Sequence, residues 1–245
     1  MKNYKFVLQY EGTRYQGWQR QQSTENTIQG KLEALLSKMC GEKVEVQGSG
    51  RTDAGVHALA QVANAHMSTE LTAAQILEYM NRYLPEDIGV LSVEEVPDRF
   101  HSRLNARGKT YRYEIINSEI PQVFRRRYAH VVPERLDVEA MQRAAGFLMG
   151  QHDFQAFTSA KKGKKSTVRR VEQIRAERRG DLVVLTFSGD GFLYHMVRIL
   201  TGTLIQVGLG QRASEEMKDI LASRSRERAG ELVPAKGLTL VEVRY

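Results

Sequence analysis

Residues 48–58 read Gly-Ser-Gly-Arg-Thr-Asp-Ala-Gly-Val-His-Ala, a run too polar and too rich in glycine to form a core element. Gly48, Gly50 and Gly55 permit positive backbone angles or the close approach of another molecule. Arg51 and Asp53, two apart, share a side wherever the segment is extended. A carboxylate presented in this way is available as nucleophile or base, and an arginine beside it favours the charged form. The same residues also suit an ordinary turn closed by an Arg51–Asp53 pair, so the remaining sequence has to separate a site from a turn.

The rest of the chain offers little competing chemistry. The six histidines, His57, His66, His101, His130, His152 and His195, include no pair four apart that flanks a glutamate as in a zinc helix, and each reads as a hydrogen-bonding scaffold residue. No Gly-Lys-Ser or Gly-Lys-Thr follows a glycine loop, and residues 48–53 match neither common phosphate-cradle spacing. The nucleophile elbow of serine hydrolases is missing too. One cysteine, Cys40, excludes an internal disulfide framework and any multi-cysteine cluster, and it suits a reducing compartment. These exclusions point to a reaction that uses no cofactor and no metal, centred on Asp53.

Aromatic and cationic residues gather in one short stretch: Phe100, Arg103, Arg107, Lys109, Tyr111, Arg112 and Tyr113. Aromatic faces stack on unpaired bases while Arg and Lys hold phosphates, so the stretch suits RNA. The competing reading is a solvated strand with Tyr111 or Tyr113 in the core. Two further basic clusters, Arg125 to Arg127 and Lys161, Lys162, Lys164, Lys165, Arg169 and Arg170, are of the kind that usually just face solvent, and only one of them is expected to touch RNA. A formal net charge of +7 favours polyanionic partners because phosphate neutralisation releases counterions.

At 245 residues and 41% hydrophobic, the chain can bury a substantial core as one large domain or two compact halves. It contains no apolar run long enough for a signal peptide or membrane span, which makes the cytoplasm the expected location.

The elements that must carry these residues follow from periodicity. Residues 5–10 alternate as a strand, and residues 11–22 form a polar loop anchored by Trp18. Ile28, Leu32, Leu35, Leu36 and Met39 make a helical stripe, with Asn26 expected as N-cap and Gly41 as C-cap. Strands are expected at 44–46 and 59–65, so the Asp53 loop lies between two strands. Thr72 caps a second helix that Pro85 stops, and residues 88–96 form a strand. The second half opens with a strand through Tyr111, Tyr113 and Ile115. A helix capped by Asp137 and ended by Gly150 follows, then a hairpin of 168–177 and 182–187 across Arg179, Gly180 and Asp181. A helix over 193–207, a short one after Ser214 and a strand at 238–244 complete it.

The resulting fold class is α+β, two mixed α/β halves whose antiparallel sheets form a central cleft, with a soft boundary near Leu104. Residues 1–104 carry the Asp53 loop, and residues 105–245 carry the tyrosine-bearing strand.

Several stretches resemble the tRNA pseudouridine synthases of the TruA type, nearly end to end. Residues 50–58 resemble the family's catalytic motif, which implies that Asp53 is the catalytic aspartate and that Arg51 helps evert the target base. Phe100-His101-Ser102-Arg103 leading to Lys109-Thr110-Tyr111-Arg112-Tyr113 resembles a second motif, in which Tyr111 stacks on the target uracil. Gly191-Phe192-Leu193 through Val197-Arg198 to Gly202, Leu204, Gly208 and Gly210 resembles a third, whose arginine, here Arg198, pairs with the catalytic aspartate. Lys236-Gly237-Leu238 resembles the last and makes Leu238 an apolar pocket wall, and His152-Asp153-Phe154 with Phe157 also fits. Glu11 stands where the family commonly has Asp, and Val233 precedes Pro234 where Ala is frequent.

The resemblance implies the pseudouridine synthase fold and isomerisation of uridine at positions 38, 39 and 40 of the tRNA anticodon arm by a homodimer, without cofactor. Two other classes compete: a non-catalytic RNA-binding protein, for which a carboxylate facing a polyanion is a cost, and a phosphotransferase, for which no metal-binding carboxylate cluster accompanies Asp53.

Overall fold

The computed structural model describes residues 1–160 and 166–245, so Lys161, Lys162, Lys164 and Lys165 of the second basic cluster lie outside the described residues. In chain order the elements are β1 (Lys2–Tyr10), α1 (Ile28–Cys40), β2 (Gln47–Gly48), β3 (His57–Met67), α2 (Ala73–Tyr83), β4 (Ile88–Val96), β5 (Gly108–Ile116) and β6 (His130–Val131). They continue with α3 (Val138–Gly146), β7 (Gly150–Asp153), β8 (Val168–Arg179), β9 (Leu182–Gly189), α4 (Met196–Gly208), α5 (Glu216–Ser223) and β10 (Leu238–Arg244). The chain forms two compact units, Met1–Arg107 with Thr239–Tyr245, and Gly108–Leu238.

In the first unit the strand order is β4-β1-β3-β10. β1 pairs antiparallel with β3 and β4, and β10 joins β3 in parallel with Thr239 opposite His57. Tyr4, Phe6, Leu8 and Tyr10 are buried on one face of β1, as the period-two pattern predicts. Each such side chain removed from water contributes roughly 1.5–3 kcal/mol. α1 buries Ile28, Leu32 and Leu36. α2 is capped by Thr72 as expected, and Gln75 completes a capping box in which the two satisfy each other's backbone amides.

Two local expectations fail for reasons visible in the hydrogen bonding. The N-cap of α1 is Thr27, not Asn26, and its hydroxyl accepts from the Gly30 amide. The Asn26 carbonyl is taken by the Gln16 amide, which holds that residue in the preceding loop. Residues 44–46 form no strand, because the Val44 and Val46 amides donate to side chains of α1, Ser37 at 2.9 Å and Glu33 at 3.1 Å. Strand pairing begins only with β2, whose Gln47 and Gly48 face Asn64 and Ala63.

In the second unit the order is β5-β9-β8-β7, all antiparallel, with β6 added in parallel to β5. β8 and β9 form the expected hairpin, turned at Gly180 with φ 62°. Asp137 caps α3, but the helix stops at Gly146, and Gly150, at φ 99°, instead opens β7. α4 is buried nearly all round, so it behaves as the core helix of this unit.

Helix α4 can lie this deep because Gly202 has no side chain: a Cβ there would sit 2.1 Å from the Glu231 carbonyl oxygen, a backbone atom with little freedom to yield. Gly202→Ala is therefore expected to destabilise by about 1–3 kcal/mol or more through overpacking. Gly146→Ala, at an exposed helical position whose Cβ would meet nothing within 4 Å, should instead stabilise by about 0.5–1 kcal/mol. Urea unfolding of the two variants checks both signs.

Candidate active site

In the first unit, residues 49–56 run beside the β3 edge between its pairings with β2 and β10. The Ser49 amide donates to the Val62 carbonyl at 2.7 Å, and the Gln61 side chain accepts from the Ser49 hydroxyl at 2.7 Å while donating to the Gly50 carbonyl at 3.0 Å. Thr52 is buried, and its hydroxyl lies 2.8 Å from the Tyr10 hydroxyl. Burial pushes the Tyr10 phenol up to about 12, against hydrogen bonds to Thr52 and Gln61 that lower it, so it stays protonated. Arg51 is exposed and Asp53 half-buried, one on either side of this inward anchor.

Asp53 begins a turn: its carbonyl accepts from the Val56 amide at 3.1 Å, and Gly55 holds φ 79°. A positive angle at the third turn position is what glycine supplies. The loop anchored by Trp18 buttresses this turn from outside the sheet. The Trp18 amide donates to the Thr52 carbonyl, and the Gly55 amide donates to the Tyr15 carbonyl. The Gly12 amide donates to Nδ1 of His57 at 3.0 Å, which makes that histidine a scaffold acceptor. A Cβ on Gly12 would fall 2.0 Å from the Val56 carbonyl oxygen, and one on Gly48 would fall 2.5 Å from the Trp18 ring. Glu11 accepts from the Thr13 amide, which gives this residue a loop-capping task.

The residues leading out of β4 are fastened to the same framework. The Ser102 hydroxyl donates to the Gln47 carbonyl at 2.6 Å, its amide donates to Asn64, and its carbonyl accepts from the Tyr245 hydroxyl. Phe100 turns its ring against Tyr245 at 5.3 Å, under Lys5. It is packed there, not held open for a base. Arg103 and Arg107 are exposed.

In the second unit, Tyr111 lies on β5 opposite Phe187 of β9, 9% exposed, with its ring edge-to-face with Phe192 at 5.4 Å and 87°. Tyr113 on the same face is fully buried, so the core reading is right for this tyrosine. Its hydroxyl donates to the Pro234 carbonyl at 2.7 Å. Burial pushes its phenol pKa up strongly, opposed in part by the charge of Arg198. Arg198, in the first turn of α4, donates through Nε to the neighbouring Val233 carbonyl at 2.8 Å. Residues 233–238 are thus fixed by two side chains at consecutive carbonyls, and they end in Leu238, which is 6% exposed. Tyr111, Arg198 and Leu238 therefore share one local framework, while Asp53, Arg51, Arg103 and Arg107 share that of the first unit.

Of the remaining basic residues, Arg125 lies 3.6 Å from Glu114, which also pairs with Arg112, and Arg126 donates to the Val123 carbonyl. Sequence reasoning did not find the supports, namely Tyr10, Ser49, Gln61, Tyr113 and the carbonyls of Val233 and Pro234. The glycines and Trp18 before α1 were the only signal that this loop packs closely on something.

The family model described as tRNA pseudouridine synthase matches residues 7–105 and 144–245, stretches that contain Asp53, Arg198 and Leu238. A protein of Bacillus sp. (strain KSM-64) named tRNA pseudouridine synthase A is similar at 48% identity, with 100% of each chain covered. The tRNA pseudouridine synthase A 2 of Bacillus anthracis is 46% identical and the tRNA pseudouridine synthase A of Acetivibrio thermocellus 44% identical, again with 100% of each chain covered. With its sheets, anchored aspartate loop and full-length similarity, this chain belongs to the tRNA pseudouridine synthase family and is an RNA-modifying isomerase.

Proposed function

We propose that this chain isomerises uridine to pseudouridine at positions 38, 39 and 40 of the tRNA anticodon arm, with Asp53 starting the reaction. The observation that carries this reading is the seat of Asp53: half-buried at the head of a turn, next to a threonine anchored to the sheet, in a chain of this family. Such a carboxylate is held in place before substrate arrives, which lowers the cost of aligning it.

Substrate and product are isomers, so no reagent is consumed. Asp53 attacks ribose or removes its 2′ proton, and the bond from N1 to the sugar breaks. The uracil turns while held, and its carbon five joins the ribose as the Asp53 carboxylate is displaced from it or as the 2′ proton is returned; the proton on carbon five is then lost while N1 gains one. Tyr111 stacks on the detached base and accepts the carbon-five proton; Leu238 bounds the base as an apolar wall. Arg198 is the arginine assigned to the catalytic carboxylate, through a charge-assisted hydrogen bond. Arg51 assists eversion of the uridine, which otherwise costs a few kcal/mol of lost stacking and pairing, and Arg103 and Arg107 hold phosphates. Among the described residues no helix is long and apolar enough to cross a membrane. We place the reaction in the cytoplasm and the active species as a homodimer.

Asp53→Asn should bind tRNA yet release tritium from carbon-five-labelled uridine at least about 1,000-fold more slowly, and retained turnover would reject the assignment. Tyr111→Phe keeps the stacking face but loses the hydroxyl. A fall in turnover of about 100-fold or more is expected for a lost proton acceptor, and near-parental turnover would reject that role. Light scattering at working concentration should give twice the chain mass, and a monomer active on tRNA would exclude the dimer.

A further inference from the structure

Between the end of β9 and the start of α4, residues 190–195 do more than carry Phe192 to the edge of Tyr111. Two positions on, Tyr194 is 55% exposed, an unusual position for a large aromatic ring in a segment so firmly held. Its ring lies on the imidazole of His195, with centroids 3.7 Å apart and planes at 27°. Its carbonyl accepts from the Thr158 hydroxyl at 2.9 Å and from the Ser159 amide at 3.3 Å. His195 holds φ 64° as the N-cap of α4, an uncommon left-handed conformation for a non-glycine residue, though histidine adopts it more readily than most. The backbone is therefore fastened into place, and what it displays to solvent is an aromatic face. Arg169 lies near the start of the same segment: a Cβ on Gly191 would fall 3.9 Å from its Nε, and its guanidinium donates to the Ser166 and Val168 carbonyls.

A fixed, exposed ring backed by a second ring, on a segment that also has a guanidinium near its start, is an arrangement that can stack an unpaired nucleobase while a cation holds a phosphate. Hydrophobic burial does not account for it, because the ring is mostly in water; folding gains little by pinning it there. Everting a uridine also breaks the stacking of the nucleotide beside it, which then needs a new surface.

We infer that Tyr194 is a second base platform, which stacks an unpaired nucleobase next to the everted uridine, with Arg169 on the adjoining phosphate. The inference rests on the proposed tRNA reading and adds a binding subsite to it. Tyr194 makes no bond to the reacting atoms and acts on affinity and register. The ring, not the hydroxyl, is the working part.

The test is equilibrium binding of an unmodified tRNA transcript to the full chain, read by fluorescence anisotropy. Tyr194→Ala should weaken binding about tenfold, and Tyr194→Phe, which keeps the face, should restore it to within about twofold of the parent. The slope of log Kd against log salt should be the same in both, since no phosphate contact is removed, whereas Arg169→Gln should reduce that slope by roughly one. Tyr194→Trp adds a direct probe, because the parent has a single tryptophan, Trp18, only 2% exposed. Added tRNA should quench the new exposed emission. The inference is overturned if Tyr194→Ala binds as tightly as the parent, if Tyr194→Phe is as weak as Tyr194→Ala, or if the emission of Tyr194→Trp ignores tRNA. Tritium release by the parent separates the two readings: an inactive parent defeats the proposed function, while an active parent with unaltered binding by Tyr194→Ala defeats this subsite alone.

Discussion

Thr52 is the fixed point of the first unit. It is a buried hydroxyl in the middle of a polar loop, and a buried hydroxyl without a partner costs about 1–3 kcal/mol. The Tyr10 hydroxyl on β1 meets that need, Gln61 on β3 meets Tyr10 and the Gly50 carbonyl, and Ser49 meets Gln61. A network of this kind tolerates few geometries, because each member loses its partner if the backbone shifts. The position of Asp53 follows from it: the neighbouring residue cannot move without stranding buried polar groups.

The second unit solves the same problem with carbonyls. Residues 233–237 lead into β10 without forming a strand themselves, and Arg198 and Tyr113 supply donors to two successive carbonyls, those of Val233 and Pro234. Because Tyr113 shares a strand face with Tyr111, Tyr111 and the apolar Leu238 are referred to one rigid support. A donor at each carbonyl is what keeps an irregular segment from fraying, and it sets side chains more closely than a free loop would.

Polar and aromatic groups are thus divided by task. Tyr10 and Tyr113 are buried with their hydroxyls engaged in hydrogen bonds, and burial raises both phenol pKa values and keeps them protonated. Tyr194 is their opposite, an exposed ring on a fastened backbone. Similar residue types reach different ends through burial alone, which is why a count of tyrosines near arginines says little until their environments are known.

The sequence by itself determined the order and kind of most elements, because periodicities of two and 3.6 and the caps at Thr72, Asp137 and Gly41 are local signals that tertiary contacts left in force. It singled out Asp53, Arg51, Tyr111, Arg198 and Leu238, the first two from polar, glycine-rich composition and the last two from family resemblance. Local signals failed where long-range partners claimed the backbone: α1 side chains took the amides of residues 44–46, and Gln16 took the Asn26 carbonyl. Only the tertiary structure decided which tyrosine is core and which is displayed, and what each loop leans on. Those outcomes depend on hydrogen bonds between residues far apart in the chain, such as Tyr10 with Thr52 and Tyr113 with Pro234, and no window of neighbouring residues contains both ends of such a bond.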